Sequence, residues 1–285
     1  MSDTAKVTDV NVTKKLEEIL VAKCANIGDR KNQQDYAIIP DENQMESDNY
    51  ICVLCDGMGG LDKGEIASRM AAEQIFNAYY AQEKIDNKRQ FLSDNIREAD
   101  NMVSSIRDES GNSSQAGSTL LAVIVNEGKL TWASVGDSRI YKVHEGNISQ
   151  LTSDQNYGQV LLKELQNGNI TVEQANADPM KDALTNYIGM AGIEEINMNA
   201  QDDELKDGDV IIMCSDGLYR TLAEEEINKV VNENINNMPL ASYLLVNEAI
   251  GKKEPHQDNT TVILIKYSDK NLKIKGEENN GYEEM

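Results

Sequence analysis

Two stretches far apart in the 285-residue chain end alike: YICVLCDG closes on Asp56 and DVIIMCSDG on Asp216. Each is an apolar run that stops at an aspartate followed by glycine. A third run, LTWASVGDSR, stops at Asp137, and the final apolar run begins just after HQDN, at Asp258. The end of an antiparallel strand lies beside the start of its neighbour, so Asp258 is expected to share a rim with Asp56 and Asp216. Carboxylates gathered on one rim repel each other and cost stability unless a cation joins them. Oxygen-only ligands select hard ions such as magnesium, manganese or calcium. Zinc fits poorly, because the histidines number two, His144 and His256. Gly57, with no side chain, lets its backbone carbonyl approach an ion closely. One Asp-Gly after a strand is an ordinary turn. Its recurrence is the signal.

Other readings of the same letters are weaker. GMGGLDKG places glycines before a helix but lacks the Gly-Lys-Ser/Thr of a nucleotide-binding loop. Cys214 and Arg220 satisfy the C-x5-R spacing of thiol-dependent phosphatases. Asp216 would then put a carboxylate inside the phosphate cradle, and no histidine precedes the cysteine to lower its pKa. Cys52 and Cys55 form a C-x-x-C pair on a strand-like segment, where residues three apart point to opposite faces. They are poorly placed to bridge or to share a metal. All four cysteines, Cys24 included, read as reduced buried thiols, which suits a cytoplasmic setting.

Periodicity supplies the elements that must position these groups. YAII and NYICVLC read as strands, followed by a helix from Asp62 to Tyr80 with Ala67, Ala71 and Ile75 on one face. Leu92, Ile96, Ala99, Val103 and Ile106 mark a second helix. GSTLLAVIV, KLTWASVGD, RIYKVHE and NISQLT then read as an antiparallel meander. A polar helical region, about Tyr157 to Asn176, precedes strands in IEEINMNAQ and DGDVIIMCSDG, two helices over Ala223–Asn234 and Pro239–Ile250, and a last strand in NTTVILIKY. Residues 1–15 read as a polar start. Strands at both ends with helices grouped between them predict an α+β layered fold. The expectation is one domain over 1–267 and an acidic, frayed tail over 268–285.

Acidic residues outnumber basic ones by 49 to 27, a formal charge of −22, which disfavours nucleic acid and anionic membranes as partners. It suits cations or basic peptide segments. There is no apolar run of the length a membrane helix needs and no secretory leader at the N-terminus as given. A monomer is the default expectation.

RKNQQD, DGMGG, GSTL, GDSR, SDGL and DNTT occur in this order from about Gly28 to Ile265. Together they resemble the metal-dependent serine/threonine protein phosphatases, the type 2C or PPM family, in their compact bacterial form. The resemblance implies a four-layer α-β-β-α sandwich, two antiparallel sheets face to face with helices on both outer faces. It implies two to three manganese or magnesium ions at one rim. On that reading Asp56 bridges two ions, Gly57 ligates through its carbonyl, and Asp216 and Asp258 bind the second ion. Asp137, with Asp216, holds a third. Arg30 clamps the substrate phosphate and Asp35 orients metal-bound water, so Arg30, Asp35 and Asp56 form the catalytic set. Residues 153–190 resemble the family's flap, which borders the site. The implied reaction is direct hydrolysis of phosphoserine and phosphothreonine in proteins, without a phosphoenzyme, opposing a serine/threonine kinase. A silent member that only binds phosphoproteins is the alternative. Two residues depart from the pattern: Met58 stands where animal members carry a proposed acid histidine, and Gln34 where many relatives have glutamate. His256 is the nearest histidine in sequence to a candidate ligand, and an ordinary surface or packing role is its simpler reading.

Overall fold

The computed structural model describes residues 7–15, 19–45, 49–58, 63–107, 110–112 and 115–268, with side chains considered from residue 21 onward. Two antiparallel sheets lie face to face. The first runs β1 (Val7–Lys15), β2 (Ile19–Asn26), β12 (Thr260–Lys266), β11 (Val210–Cys214), β7 (Arg139–His144) and β8 (Asn147–Gln150) in spatial order. The second runs β10 (Asp203–Glu204), β6 (Lys129–Val135), β5 (Leu120–Asn126), β4 (Asn49–Asp56) and β3 (Asp35–Ile38), with β9 (Asn197–Met198) also on β6.

Three apolar layers follow from the strand sequences. Between the sheets lie Cys52, Leu54, Val123, Ile211, Met213, Ile263 and their neighbours. The alternate residues Ile51, Val53 and Cys55 face outward, under α1 (Gly64–Tyr80) and α2 (Lys88–Ser104). On the opposite outer face, Ile212, Cys214, Val262 and Leu264 pack beneath α6 (Glu224–Glu233) and α7 (Met238–Gly251). A strand buried on both faces loses the polar alternation of a half-exposed one, which is why β4, β5 and β11 read as continuous apolar runs. The four-layer α-β-β-α sandwich is the observed fold. Cys52 and Cys55 do fall on opposite faces of β4.

The helices owe their limits to local chemistry. Ala67, Ala71, Ala72 and Ile75 form the buried stripe of α1, and their small size lets it lie close on the sheet. Asn87 and Asn237 accept from the backbone N–H of Gln90 and Leu240, capping α2 and α7. Glu224, Glu225 and Glu226 crowd the first turn of α6, where carboxylates meet the positive end of the helix dipole.

Several sequence expectations change. The polar start is strand β1, paired with β2. The four-strand meander is two hairpins in different sheets: β5 and β6 stay in the second, β7 and β8 belong to the first, and the chain crosses over at Gly136 (φ 97°). Tyr157–Asn176 divides into α3 (Tyr157–Gln166) and α4 (Val172–Ala177), because Thr171 and Gln174 form a capping box that starts a new helix. IEEINMNAQ contributes the two residues of β9. After β11 the chain enters a one-turn helix, α5 (Asp216–Tyr219), that the sequence reading lacked. Asp62, at the expected start of α1, and residues 269–285 of the expected tail lie outside the described residues. Among the described residues no helix is long and apolar enough to cross a membrane.

Candidate active site

The carboxylates gather where the ends of both sheets meet. Asp56, the last residue of β4, pairs in register with Asp35, the first of β3. From the other sheet, Cys214 is paired with Val262, and Ser215 N–H continues the ladder to Thr261 O at 3.1 Å. That register brings Asp216, just past β11, beside Asp258, just before β12. Asp216 and Asp258 thus flank neighbouring strands of one sheet, as the sequence suggested, while Asp56 reaches the rim from β4 of the facing sheet. Glycine permits the close approach. A Cβ on Gly217 would stand 2.2 Å from Asn259 O, and one on Gly57 2.4 Å from Gly64 O.

One amide makes three of the hydrogen bonds that hold the loop before β3. Asn259 Oδ1 accepts from Gln34 N–H at 2.7 Å, while its Nδ2 donates to Ile27 O and Asn32 O at 2.8 and 3.2 Å. Arg30 and Asp35 both ride on this loop. Arg30 Nη2 donates to Asp258 Oδ2 at 2.6 Å, and the arginine stays 41% exposed. Asp35 is 7% exposed; Ser215 Oγ donates to its Oδ2 at 2.8 Å.

Burial and crowding raise these acids. Burial lifts Asp35 to about 6, against the easing effect of hydroxyls on Thr261 and Ser215. Asp216 is lifted to about 7 by burial, with Arg220 opposing and Asp137, Asp258 and Asp35 adding to the rise. Part of Asp56 remains accessible, yet burial leads the causes that hold it well above the carboxylate range. The charges of Asp35, Asp216, Asp258 and Asp137 follow. One carboxylate thus feels four others.

Buried carboxylate oxygens without partners are costly. Asp35 Oδ1 and Asp216 Oδ1 have no well-formed hydrogen bond among the described residues. Unsatisfied oxygens amid mutual repulsion fit a hard divalent cation on the side formed by Asp35, Asp56, Asp216 and Asp258. No three acidic, histidine or cysteine side chains among the described residues already converge on one point. Arg30 engages Asp258 and Arg220 engages Asp216 instead, and a cation has to displace or share those pairs. Asp137 is different. It is 4% exposed and meets Arg220 Nη2 at 3.1 Å, so its charge already has a partner.

Comparison with known proteins identifies the family and the fold. The family profile described as Protein phosphatase 2C matches residues 25–246. The chain belongs to the protein phosphatase 2C family. It is 28% identical to protein phosphatase PhpP of Streptococcus pneumoniae over 238 residues, 83% of this chain and 92% of that one. It is 27% identical to serine/threonine phosphatase stp of Listeria welshimeri over 232 residues, 79% of this chain and 86% of that one. Among solved structures, the S. agalactiae serine/threonine phosphatase superposes with a TM-score of 0.75 at 25% identity, covering 88% of this chain and all of that one. The catalytic domain of PstP, solved with two manganese ions, gives 0.71 at 24% identity, covering 88% and 99%.

Within this phosphatase 2C fold, the segment expected as the flap is fastened at its ends. Arg139 grips Asp154 through two nitrogens at 3.0 and 2.7 Å and stacks over the Tyr219 ring at 3.7 Å. Gln155 exchanges hydrogen bonds with Gly136. At the far end, buried Asp100 of α2 accepts from Gly189 N–H and Gly192 N–H at 2.7 and 2.8 Å. Ser118 bridges Gly57 to Ile188. Between these anchors Val160, Leu162, Val172 and Met180 are exposed.

The decoys fall away on position. Cys214 is fully buried among apolar side chains, and burial pushes its thiol up to about 12. It is no nucleophile near neutrality. All four cysteines are buried thiols outside any disulfide. His256 is exposed on left-handed backbone (φ 64°). Gln34 Nε2 reaches Glu65 Oε2 at 3.5 Å, so a carboxylate does stand near that position, borrowed from α1. Sequence reasoning missed two positively charged contacts: Arg220, dismissed with the thiol motif, and Arg139. The four-residue step from Asp216 to Arg220 was the available signal for the first.

Proposed function

We propose that the chain, a protein serine/threonine phosphatase by family, hydrolyses phosphoserine and phosphothreonine in proteins with divalent manganese or magnesium and no phosphoenzyme. The observation that carries this is the crowded set Asp35, Asp56 and Asp216, raised together, with one buried oxygen left unpartnered on Asp35 and one on Asp216. Asp56, Asp216, Asp258 and the Gly57 carbonyl are the groups that would hold the ions. Bound there, such ions polarise phosphoryl oxygens and lower the pKa of water.

The remaining work falls to the chain's own residues. Arg30, exposed at the rim, has five N–H donors in a planar fork and presents those beyond its Asp258 contact to the phosphate. Ser215 fixes Asp35 Oδ2, so Asp35 Oδ1 is the atom that orients the attacking water and accepts its proton. Burial of Cys214 speaks against a thiol nucleophile at that position. The acidic surface favours phosphosites with basic flanks, and a partner serine/threonine kinase supplies the substrate. Four reduced thiols suit a cytoplasmic site of action.

Purified protein should turn over p-nitrophenyl phosphate and a phosphothreonine peptide with manganese, stop in excess EDTA, and recover when manganese is restored. Unchanged turnover in chelator would refute the cation's role.

A further inference from the structure

The pair Asp137 and Asp216 departs from the rest of the rim. Arg220 follows Asp216 by four residues, at the end of α5, and meets three carboxylates with three different nitrogens. Nε lies 3.0 Å from Asp216 Oδ2, Nη2 3.1 Å from Asp137 Oδ2, and Nη1 3.4 Å from Asp182 Oδ1. The Asp137 side chain is 5% exposed. Arg220 opposes the rise that burial imposes on it, and the Tyr219 hydroxyl beside it acts in the same sense. Asp35 Oδ1 and Asp216 Oδ1 are the unpartnered oxygens of the rim. Arg30 reaches Asp258 with one nitrogen from an exposed loop, whereas Arg220 stands between Asp137 and Asp216 and touches both.

We infer that Arg220 stands where a third ion would otherwise sit, so that the chain binds two divalent ions and not three. This rests on the metal-dependent reading above. A guanidinium keeps its charge at every relevant pH and is tied covalently to the same turn as Asp216. A divalent ion placed between Asp137 and Asp216 would meet that charge at contact distance and have to expel it. A third metal would have to take Asp137 Oδ2 from the guanidinium that already holds it. Arg220 has a second consequence through Asp182, which lies in the segment between α4 and Ile188. The same side chain that neutralises the rim holds this segment against it. The tether is part of the chain, so it does not vary with metal concentration.

The test is the number of manganese ions retained per chain after equilibration and desalting, read by plasma mass spectrometry, with titration calorimetry alongside. Wild type should carry close to two ions. Arg220→Ala should gain a further, weaker ion, and Asp137→Asn should leave the count at two. Three ions on the wild type, or loss of one in Asp137→Asn, would overturn the inference while leaving metal dependence intact. A chain that binds none would sink both. Arg220→Ala still at two would also count against it. Should Arg220→Ala fail to fold, Asp137→Asn decides alone. Asp182→Asn, which keeps Arg220 on the rim, should retain two ions yet speed protease cleavage within 157–180 by about 5-fold; unchanged cleavage would remove the tether.

Discussion

The rim and the neighbouring 153–190 segment lie side by side and are built differently. The rim carboxylates sit on or beside strand ladders: Asp35 against Asp56, and Asp216 and Asp258 just beyond the paired Cys214 and Val262. The segment is held at a few side-chain points, Asp154, Asp182 and the glycines that Asp100 catches, and most of α3 and α4 is exposed. Like charges kept close need a backbone that cannot relax away from them. A segment that has only to lie beside a site needs anchors and little else. Strain is stored in the first and mobility is allowed in the second.

Three experiments break or sharpen that contrast. The largest effect belongs to the rim. Asp56→Asn should lower kcat/KM for p-nitrophenyl phosphate by about 10³-fold or more, on the order of 4 kcal/mol of transition-state stabilisation. Retention of a tenth of wild-type activity would mean that the rim is not the site. Next comes the anchor. Asp154→Ala removes the partner of Arg139, whose side chain is 21% exposed against 6% for Asp154. Losing one member of so buried a pair should cost about 3 kcal/mol, seen as an earlier urea midpoint. Activity per folded molecule should change far less than in Asp56→Asn, and an equal loss would erase the distinction between the two regions.

The smallest effect is a dependence on pH. Asp35 and Asp216 titrate near 6 and 7 in the folded chain, above the ordinary 3.8. Between those limits the native state holds more protons than the unfolded one, so stability falls as pH rises from about 4 to 7. In chelator, the melting temperature should therefore drop across that window. Asp56→Asn should relieve the repulsion and raise the melting temperature at pH 7 by about 2–4 °C. A variant that melts lower than wild type in chelator would show that the crowding costs nothing.

Much of this architecture could be read from the letters, for physical reasons that differ by element. β4 and β11 announced themselves because burial on both faces forbids polar interruption until the chain reaches the rim. α2 was legible because one face alone is buried. β1 was not: VTDVNVTKK mixes valines with charges, and its strand character comes from pairing with β2. The break in the meander escaped notice because local periodicity does not record which sheet a strand joins; Gly136 was the clue. The four aspartates could be picked out as strand ends. Arg139 could not, and for Arg220 the letters signal only the step to Asp216, because an arginine's role depends on which carboxylates the fold brings to it, here from residues 137, 154 and 182.

Asp258 and Asn259 are consecutive, yet one serves the charged rim and the other supports the loop beside it. The loop that carries the Arg30 guanidinium and the Asp35 carboxylate is bonded to the same amide, through Ile27, Asn32 and Gln34. Asn259 is thus a shared support: a change there reaches both groups, while Asp35 keeps its own hold through Ser215 and the Asp56 pairing.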